Sequence, residues 1–519
     1  MNADAMKPII SCGLCAWLLF GQVLPSASER QGPAAAIGFV LEEATIHGIH
    51  TAFASGQLTC VQLVRAYLGR IEKYDDQGPS LNALITINPK ALDLAAAMDR
   101  VPAAARRPLH CIPAIVKDNY DTADMATTGG SLTLARSVPP ADAFVVTRLR
   151  EAGAIVLAKS NLTELARGGT TVSSLGGQTK NPYDLTRTPG GSSGGTGAAI
   201  AANFGVLGTG SDTGQSIRSP ASAQSLVGLR PTRGLVSRDG IIPYSTTQDE
   251  AGPITRTVED AARMLDAIAG YDPADPITAF GRGKTPPTYR AALDRDGLRG
   301  ARLGVLMDLF GDGAVHRDVN TVVDATLTKL ADAGASIVRF KIQGLDALTR
   351  DLDLGTFEFK AAFEKYLSKL GSVPVMTLSR FIARGEFHPS LRAGLDAAQR
   401  SSTADPEYNT RLLRRLDLRQ AVMTAMADHQ LDAIVYPHQR RLVAAIGEEQ
   451  LERNGVLSNG TGFPALTVPG GFSPPTASAP IGVPVGIELL GPDWSEPVLL
   501  KIGYALEQTA HIRKPPVFR

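Results

Sequence analysis

The chain has 519 residues, 44% of them hydrophobic and 20% charged, which is ordinary usage for a globular protein. Its 52 basic and 51 acidic side chains leave a formal net charge of +1 with no basic stripe, so a nucleic-acid partner has no support. A chain of this length can bury a substantial core.

The first element in chain order reads as a targeting segment, with a start-site artefact or a membrane anchor as its alternatives. Lys7 precedes the apolar run "PIISCGLCAWLLFGQVL" (Pro8 to Leu24), and small residues follow at Ser26 and Ser28. A charged start, a short apolar run and a small-residue cleavage site predict a signal peptide over residues 1–28, and so a periplasmic or secreted protein. The run falls short of the about 20 apolar residues of a membrane span, so no stable membrane insertion of the mature chain is expected. Cys12 and Cys15 would leave with the signal. Cys60 and Cys111 remain, without CxxC or metal-ligand spacing; they could pair in an oxidising compartment, but read first as two buried thiols.

From Phe39 to Asp75 apolar residues recur at three-to-four spacing, which predicts helices. One of them, in "SGQLTCVQLVRAYLGRI", has Ser55 or Thr59 as its cap. "IPAIVKDN" reads as a strand running into a loop, and "DAFVVTRLREAGAIVLAKSN" as helix, Gly153, then strand. "LGVLMDLF" and "ASIVRFKI" are strands on either side of a helix, and "LDAIVYP" is a strand after another helix. "FPALTVPGGF" and "PVGIELLG" read as paired strands around a surface loop, "GFSPPTASAPIGVP", and a last helix follows at "EPVLLKIGYALEQTA". This alternation predicts an α/β fold, with residues 29–519 as one domain and a helix-rich insertion or cap at about 280–430.

The chemistry concentrates in "TPGGSSGGTGAAIAANFGVLGTGSDTGQSIRSPA" (Thr188 to Ala221). "GAAIAANFG" is small and apolar and reads as a buried helix between two hydroxyl clusters, Ser192-Ser193 and Ser211 to Ser216. A phosphate loop would end in Gly-Lys-Ser/Thr, which is missing. "GTGSDTG" imitates a dinucleotide fingerprint weakly, since no helix is expected to run through Ser219-Pro220. "GGSSG" matches a nucleophile elbow with Ser192 at its tip, but the polar "KNPYDLTRTP" stands where an elbow needs a buried strand. No histidine has an evident triad context, and His438 in "VYPHQRR" is the nearest candidate. The remaining reading pairs two serines with a base other than histidine. A serine hydroxyl must lose its proton to a neighbouring base. A lysine can be that base when burial lowers its pKa. Lys117 ends the apolar run "CIPAIVK", which would carry it inward; its bland alternative is an ion pair with Asp118 or Asp121.

These boxes resemble the amidase signature family, whose members use a Ser–Ser–Lys triad. The resemblance rests on "GGSSGG" (Gly190 to Gly195) and "SDTGQSIRSPA" (Ser211 to Ala221) at the family's spacing, and on the lysine box "PLHCIPAIVKDNYDTADMATTGGS". Two downstream boxes, "VGLRPTRGLVSRDGIIPYSTTQDEAGPITRTVEDAARML" and "NGTGFPALTVPGG...GVPVGIELLG", extend it from about Glu42 to Pro516. "LNALITINPKALDLAAAMD", "GLVSRDGIIP" and "QDEAGPITRTV" are most similar to the peptide-amidase branch. The resemblance implies a twisted mixed β-sheet covered by helices on both faces. It implies Ser216 as nucleophile, Ser192 as bridging serine after a cis bond from Gly191, and Lys117 as base. The backbone N–H groups of Thr213, Gly214, Gln215 and Ser216 would form the oxyanion hole, braced by Ser193 and Arg218. Two positions depart from the family pattern: Gln215 stands where a glycine is usual, and Cys111 replaces the glycine before "IP".

The implied activity is that of a linear-amide hydrolase working through an acyl-serine, on a C-terminal peptide amide or an aryl or alkyl amide. It needs no metal and no cofactor, only a small-molecule amide substrate, in a monomer or homodimer. The alternative is an amidase-like component of an amidotransferase, or a non-catalytic relative. The flanking segments "MATTGGSLTLARSV" and "NGTGFPALTV" carry little charge beyond Arg136, which predicts a neutral substrate with an apolar acyl or aryl part.

Overall fold

Short runs of apolar and β-branched residues, bounded by Gly, Pro and Asp, set the strands. The computed structural model describes residues 39–371 and 373–518. The signal peptide expected over residues 1–28 lies outside them. The first seven strands are β1 (Leu84–Ile87), β2 (Pro113–Lys117), β3 (Ile155–Ser160), β4 (Val172–Ser173), β5 (Gly177–Gln178), β6 (Leu207–Asp212) and β7 (Val227–Arg230). They are followed by β8 (Glu250–Thr255), β9 (Arg302–Leu306), β10 (Ser336–Phe340), β11 (Ala433–Pro437), β12 (Ala465–Phe472) and β13 (Pro484–Leu490).

β4 and β5 pair with each other, and the others join one sheet in the order β1-β3-β2-β6-β8-β7-β12-β13-β11-β9-β10. β3, β2 and β6 run parallel, as do β11, β9 and β10. From β6 through β8, β7, β12 and β13 to β11 each pair is antiparallel. The sheet is therefore mixed, and helices cover both faces. Its central strands are buried along their whole length. The segment 280–430 adds β9 and β10 to the edge, along with helices whose Phe359, Phe363 and Phe381 pack into one cluster with Leu165 and Ile242.

The glycine- and serine-rich stretch after Thr188 folds into the helix Gly194–Ala201, every residue of it buried, against β2 and β6. Small residues are required there: a Cβ added at Gly195 would run into the backbone oxygens of Asn161 and Ala83. Thr59 caps the helix Cys60–Ile71 in a reciprocal capping box with Gln62.

Two expectations are corrected. Cys60 and Cys111 are not separate thiols but a disulfide, with Cα atoms 5.8 Å apart. Each position alone looks like a buried apolar residue, and only the fold sets the start of the Cys60–Ile71 helix beside the residues leading into β2. Cys111 has φ +62°, a left-handed conformation that suits the glycine usual in the family. Ser219-Pro220 does lie in a helix, the short Arg218–Ala223. Pro220 falls within its first turn, where a missing N–H leaves no helical bond unmade.

Candidate active site

Lys117 is the last residue of β2 and is fully buried. Its backbone N–H donates to Thr209 Oγ1 at 2.9 Å, which pins the strand end to β6. Its Nζ lies 2.8 Å from both Ser192 Oγ and Ser211 Oγ, and 3.3 Å from the Ser211 carbonyl. Among the described residues no carboxylate pairs with it. Asp118 instead pairs with Lys159 at 3.1 Å, and Asp121 accepts from the Tyr366 hydroxyl at 2.6 Å. Burial pushes the Lys117 amine down to about 7, against a weaker opposing pull from Asp212 and Asp249.

Ser192 lies just ahead of the Gly194–Ala201 helix, after a cis Gly191–Ser192 peptide bond, with its hydroxyl on the Lys117 amine. Thr163 N–H donates to the Ser192 carbonyl at 3.0 Å, and Thr171 Oγ1 donates to the Gly190 carbonyl at 2.7 Å. Ser193 joins the two walls of the site. Its N–H donates to the Ser216 carbonyl at 3.2 Å, and its hydroxyl to the Ser211 carbonyl at 3.4 Å. Ser216 thus comes to the same site through its backbone. Its hydroxyl makes no hydrogen bond to Ser192 among the described residues and faces a cavity of about 420 Å³.

The loop from Asp212 to Arg218 is held by a buried charge network. Arg218 donates to Asp212 at 3.0 and 3.2 Å and to Glu488 at 2.6 Å. Asp212 also accepts from Arg230 at 3.2 Å and from Ile217 N–H at 3.0 Å. Although burial works against its charge, these two arginines hold the Asp212 carboxyl well below its ordinary range. Arg218 also donates to the Gly214 carbonyl at 2.7 Å. In a planar trans peptide, fixing that carbonyl turns the Gln215 N–H the opposite way. Among the described residues, the backbone N–H groups of Thr213, Gly214, Gln215 and Ser216 donate to no protein acceptor. Gln215 is not in a positive-φ conformation, so the departure from glycine strains nothing.

Several participants escape a sequence reading. Ser211 binds Lys117 as closely as Ser192 does; the available signal was strand alternation, which puts Thr209 and Ser211 on one face of β6. His438 is a buried partner of Glu488 at 2.6 Å and not of either serine. Arg136 is exposed. The cavity beside Ser216 is not apolar: Arg167, Arg453, Gln215, Gln248, Asn459 and Asp353 all line it. Distant segments bring in these polar and charged side chains, which the flanking boxes do not contain. Among the described residues, no three His, Cys, Asp or Glu side chains cluster as a metal site, and no helix is long and apolar enough to cross a membrane.

The profile of the Amidase family matches residues 62–500. A protein of Arabidopsis thaliana named "Probable amidase" is 36% identical over 505 residues, covering 92% of each chain. A glutamyl-tRNA(Gln) amidotransferase subunit from Thermoanaerobacter pseudethanolicus is 33% identical, over 91% of this chain and 97% of its own. Among solved structures, native peptide amidase from Stenotrophomonas maltophilia is 39% identical with a TM-score of 0.83, over 92% of this chain and 99% of that one.

Proposed function

We propose, from the premise that this chain belongs to the Amidase (amidase signature) family, that it is a serine amidase working through an acyl-Ser216 intermediate. The observation that carries the reading is Lys117: a buried amine pushed down to about 7, with no carboxylate partner among the described residues and a serine hydroxyl 2.8 Å away. A neutral amine there can accept the Ser192 proton while Ser192 takes the proton of Ser216. Ser216 Oγ then attacks the amide carbonyl carbon. The developing oxyanion meets the free N–H groups of residues 213–216, and each such donor is worth about 3–4 kcal/mol in a water-poor site. Return of the proton to the amine nitrogen expels it. Water, deprotonated along the same relay, then opens the acyl ester.

The test is acylation. Purified protein incubated with a panel of C-terminal peptide, aryl and alkyl amides is expected to release amine and to gain the acyl mass on Ser216. The Ser216→Ala variant is expected to gain none. An acyl group on another residue, or turnover surviving in Ser216→Ala, would overturn the assignment.

One observation favours a second reading, the likeness to a glutamyl-tRNA(Gln) amidotransferase component. Release of amine or ammonia by this chain alone, without partner proteins or tRNA, decides between the two. Export belongs to the first reading. The Lys7-to-Ser28 pattern supports it, as does the Cys60–Cys111 disulfide, since such bonds persist in oxidising compartments. N-terminal sequencing of protein from its host is expected to start near residue 29; an intact Met1 in the cytosol would sink it.

A further inference from the structure

The cavity beside Ser216 holds more positive charge than the proposed amide chemistry uses. Arg453 lines it with an exposed side chain and makes no ion pair among the described residues. Glu449 acts on it only from beyond ion-pair distance. With the Gln215 amide oriented so that its oxygen faces the guanidinium, that oxygen accepts from Arg453 Nε at 3.1 Å and from Nη1. Gly169 leaves the room this needs, since a Cβ there would collide with Nη1. Gln215, the departure from the family's glycine, is thus the anchor that aims Arg453 at the cavity.

Arg167 is the second cation. It lies over the rings of Tyr244 and Phe359, 4.6 and 4.5 Å from their centroids, and its Nη2 donates to the Gly394 carbonyl at 3.1 Å. Its Nη1 is buried without a partner among the described residues. It follows Leu165 and Ala166, both left-handed at φ +51° and +57°, strain of the kind that collects at ligand sites. Asp353 is the one carboxylate among the described residues that line this cavity. It is already engaged, accepting from Gly355 and Thr356 N–H at 3.3 and 3.2 Å and from the Thr356 hydroxyl at 3.0 Å.

We propose that the substrate of this site is an amide that also carries a carboxylate, and that Arg453, aimed by Gln215 and seconded by Arg167, binds that carboxylate. The proposal rests on the amidase reading and names its substrate class. A planar guanidinium offers two parallel donors to a carboxylate, a fit that a neutral acyl or aryl group cannot use. The carboxylate can sit on the acyl side or on the amine side, and matched substrates tell these apart.

The experiment compares kcat/KM for two pairs. On the acyl side the pair is glutaric acid monoanilide against hexananilide. On the amine side it is N-benzoylglycine against N-propylbenzamide. The expected result is a preference of about tenfold or more for the anionic member of one pair, the range of a charge-assisted hydrogen bond, expressed mostly in KM. Arg453→Met is expected to collapse that ratio, and Arg453→Lys to restore part of it. A thermal melt of each variant checks folding, and a ratio within one folded variant is unaffected by a general loss of stability. Neutral members preferred in both pairs, or an anionic preference unmoved in folded Arg453→Met, overturns the carboxylate proposal and leaves the amidase reading standing. No turnover of any of the four overturns the carboxylate proposal, and no acyl-Ser216 with these or with the peptide, aryl and alkyl amide panel overturns both.

Discussion

Two fully buried lysines sit one register step apart on neighbouring strands, one ending β2 and the other in β3. Lys159 has Asp118 at 3.1 Å and donates to the carbonyls of Tyr120 and Ala126 at 2.9 and 3.1 Å and to the Thr127 hydroxyl at 2.8 Å. Lys117 faces hydroxyls and one carbonyl, with no carboxylate in reach among the described residues. Burial pushes both amines down, but at Lys159 the Asp118 carboxylate opposes it directly. The same side chain at the same depth braces one strand and, in the proposed mechanism, serves as the base in the next. The difference lies in which oxygen stands beside the amine.

The sharpest way to break this comparison is to remove each amine while keeping its bulk. Lys117→Met is expected to lower the acylation rate by about 10²–10⁴-fold, the usual worth of a positioned base, and to leave the fold intact. Lys159→Met should do the reverse. It strands Asp118 in the interior and is expected to cost about 3–5 kcal/mol, read as a fall in Tm, while residual activity keeps its pH profile. Equal losses of activity from both variants would erase the distinction.

A second comparison sets the tether against the base. The Cys60–Cys111 bridge closes a separation of 51 residues just ahead of β2. Loop-closure entropy gives it about 2–4 kcal/mol. Cys60→Ser with Cys111→Ser should therefore lower Tm in non-reducing buffer and leave the pH midpoint of activity where it was. A moved midpoint would mean that the bridge sets the burial of Lys117.

Titration separates the lysines further. If Lys117 must be neutral to act, kcat/KM rises as pH passes through about 7. Stability has its own sign. The folded Lys117 amine is depressed, so between about 7 and the free value of about 10.4 the unfolded chain binds more protons. This group therefore destabilises the fold by a few kcal/mol at neutral pH, and the penalty is relieved as pH rises across that window. Lys117→Met is expected to be at least as stable as the parent at pH 7 and to lose that rise. Chemical denaturation at several pH values checks it, and a parallel slope in the variant would refute the burial argument.

The sequence made the local parts of this site legible and the convergent parts not. Lys117 could be found because it ends an apolar strand, and the two hydroxyl clusters because they flank a helix of small residues; which serines matter comes from the family resemblance. Strand pairing at the C-terminal end followed from alternation and turn residues, and β12 and β13 do pair antiparallel. Arg453 and Arg167 gave no such signal. Their role depends on a glycine at 169, a glutamine at 215 and aromatic rings at 244 and 359, contributed by segments far apart in the chain. The disulfide was hidden for the same reason, since a pairing between distant thiols has no periodicity to read.

The finest test of the comparison is Ser211, the second hydroxyl on the Lys117 amine. Ser211 Oγ lies 2.8 Å from Lys117 Nζ and also accepts from Asn119 Nδ2 at 3.0 Å, so it is fixed in place as an acceptor. An acceptor helps the ammonium form more than the neutral amine, because only the ammonium has three protons to place. Removing it with Ser211→Ala takes away about 1 kcal/mol of that help, which corresponds to roughly 0.7 of a pH unit. The kcat/KM midpoint is therefore expected to move to lower pH by about half to one unit. The plateau should fall by about tenfold or less, because Ser192 still holds the amine but with one anchor fewer. A midpoint that rises would mean that Ser211 acts as a donor to a neutral lysine. A plateau loss as deep as that of Lys117→Met would make Ser211, not Ser192, the hydroxyl through which the proton leaves.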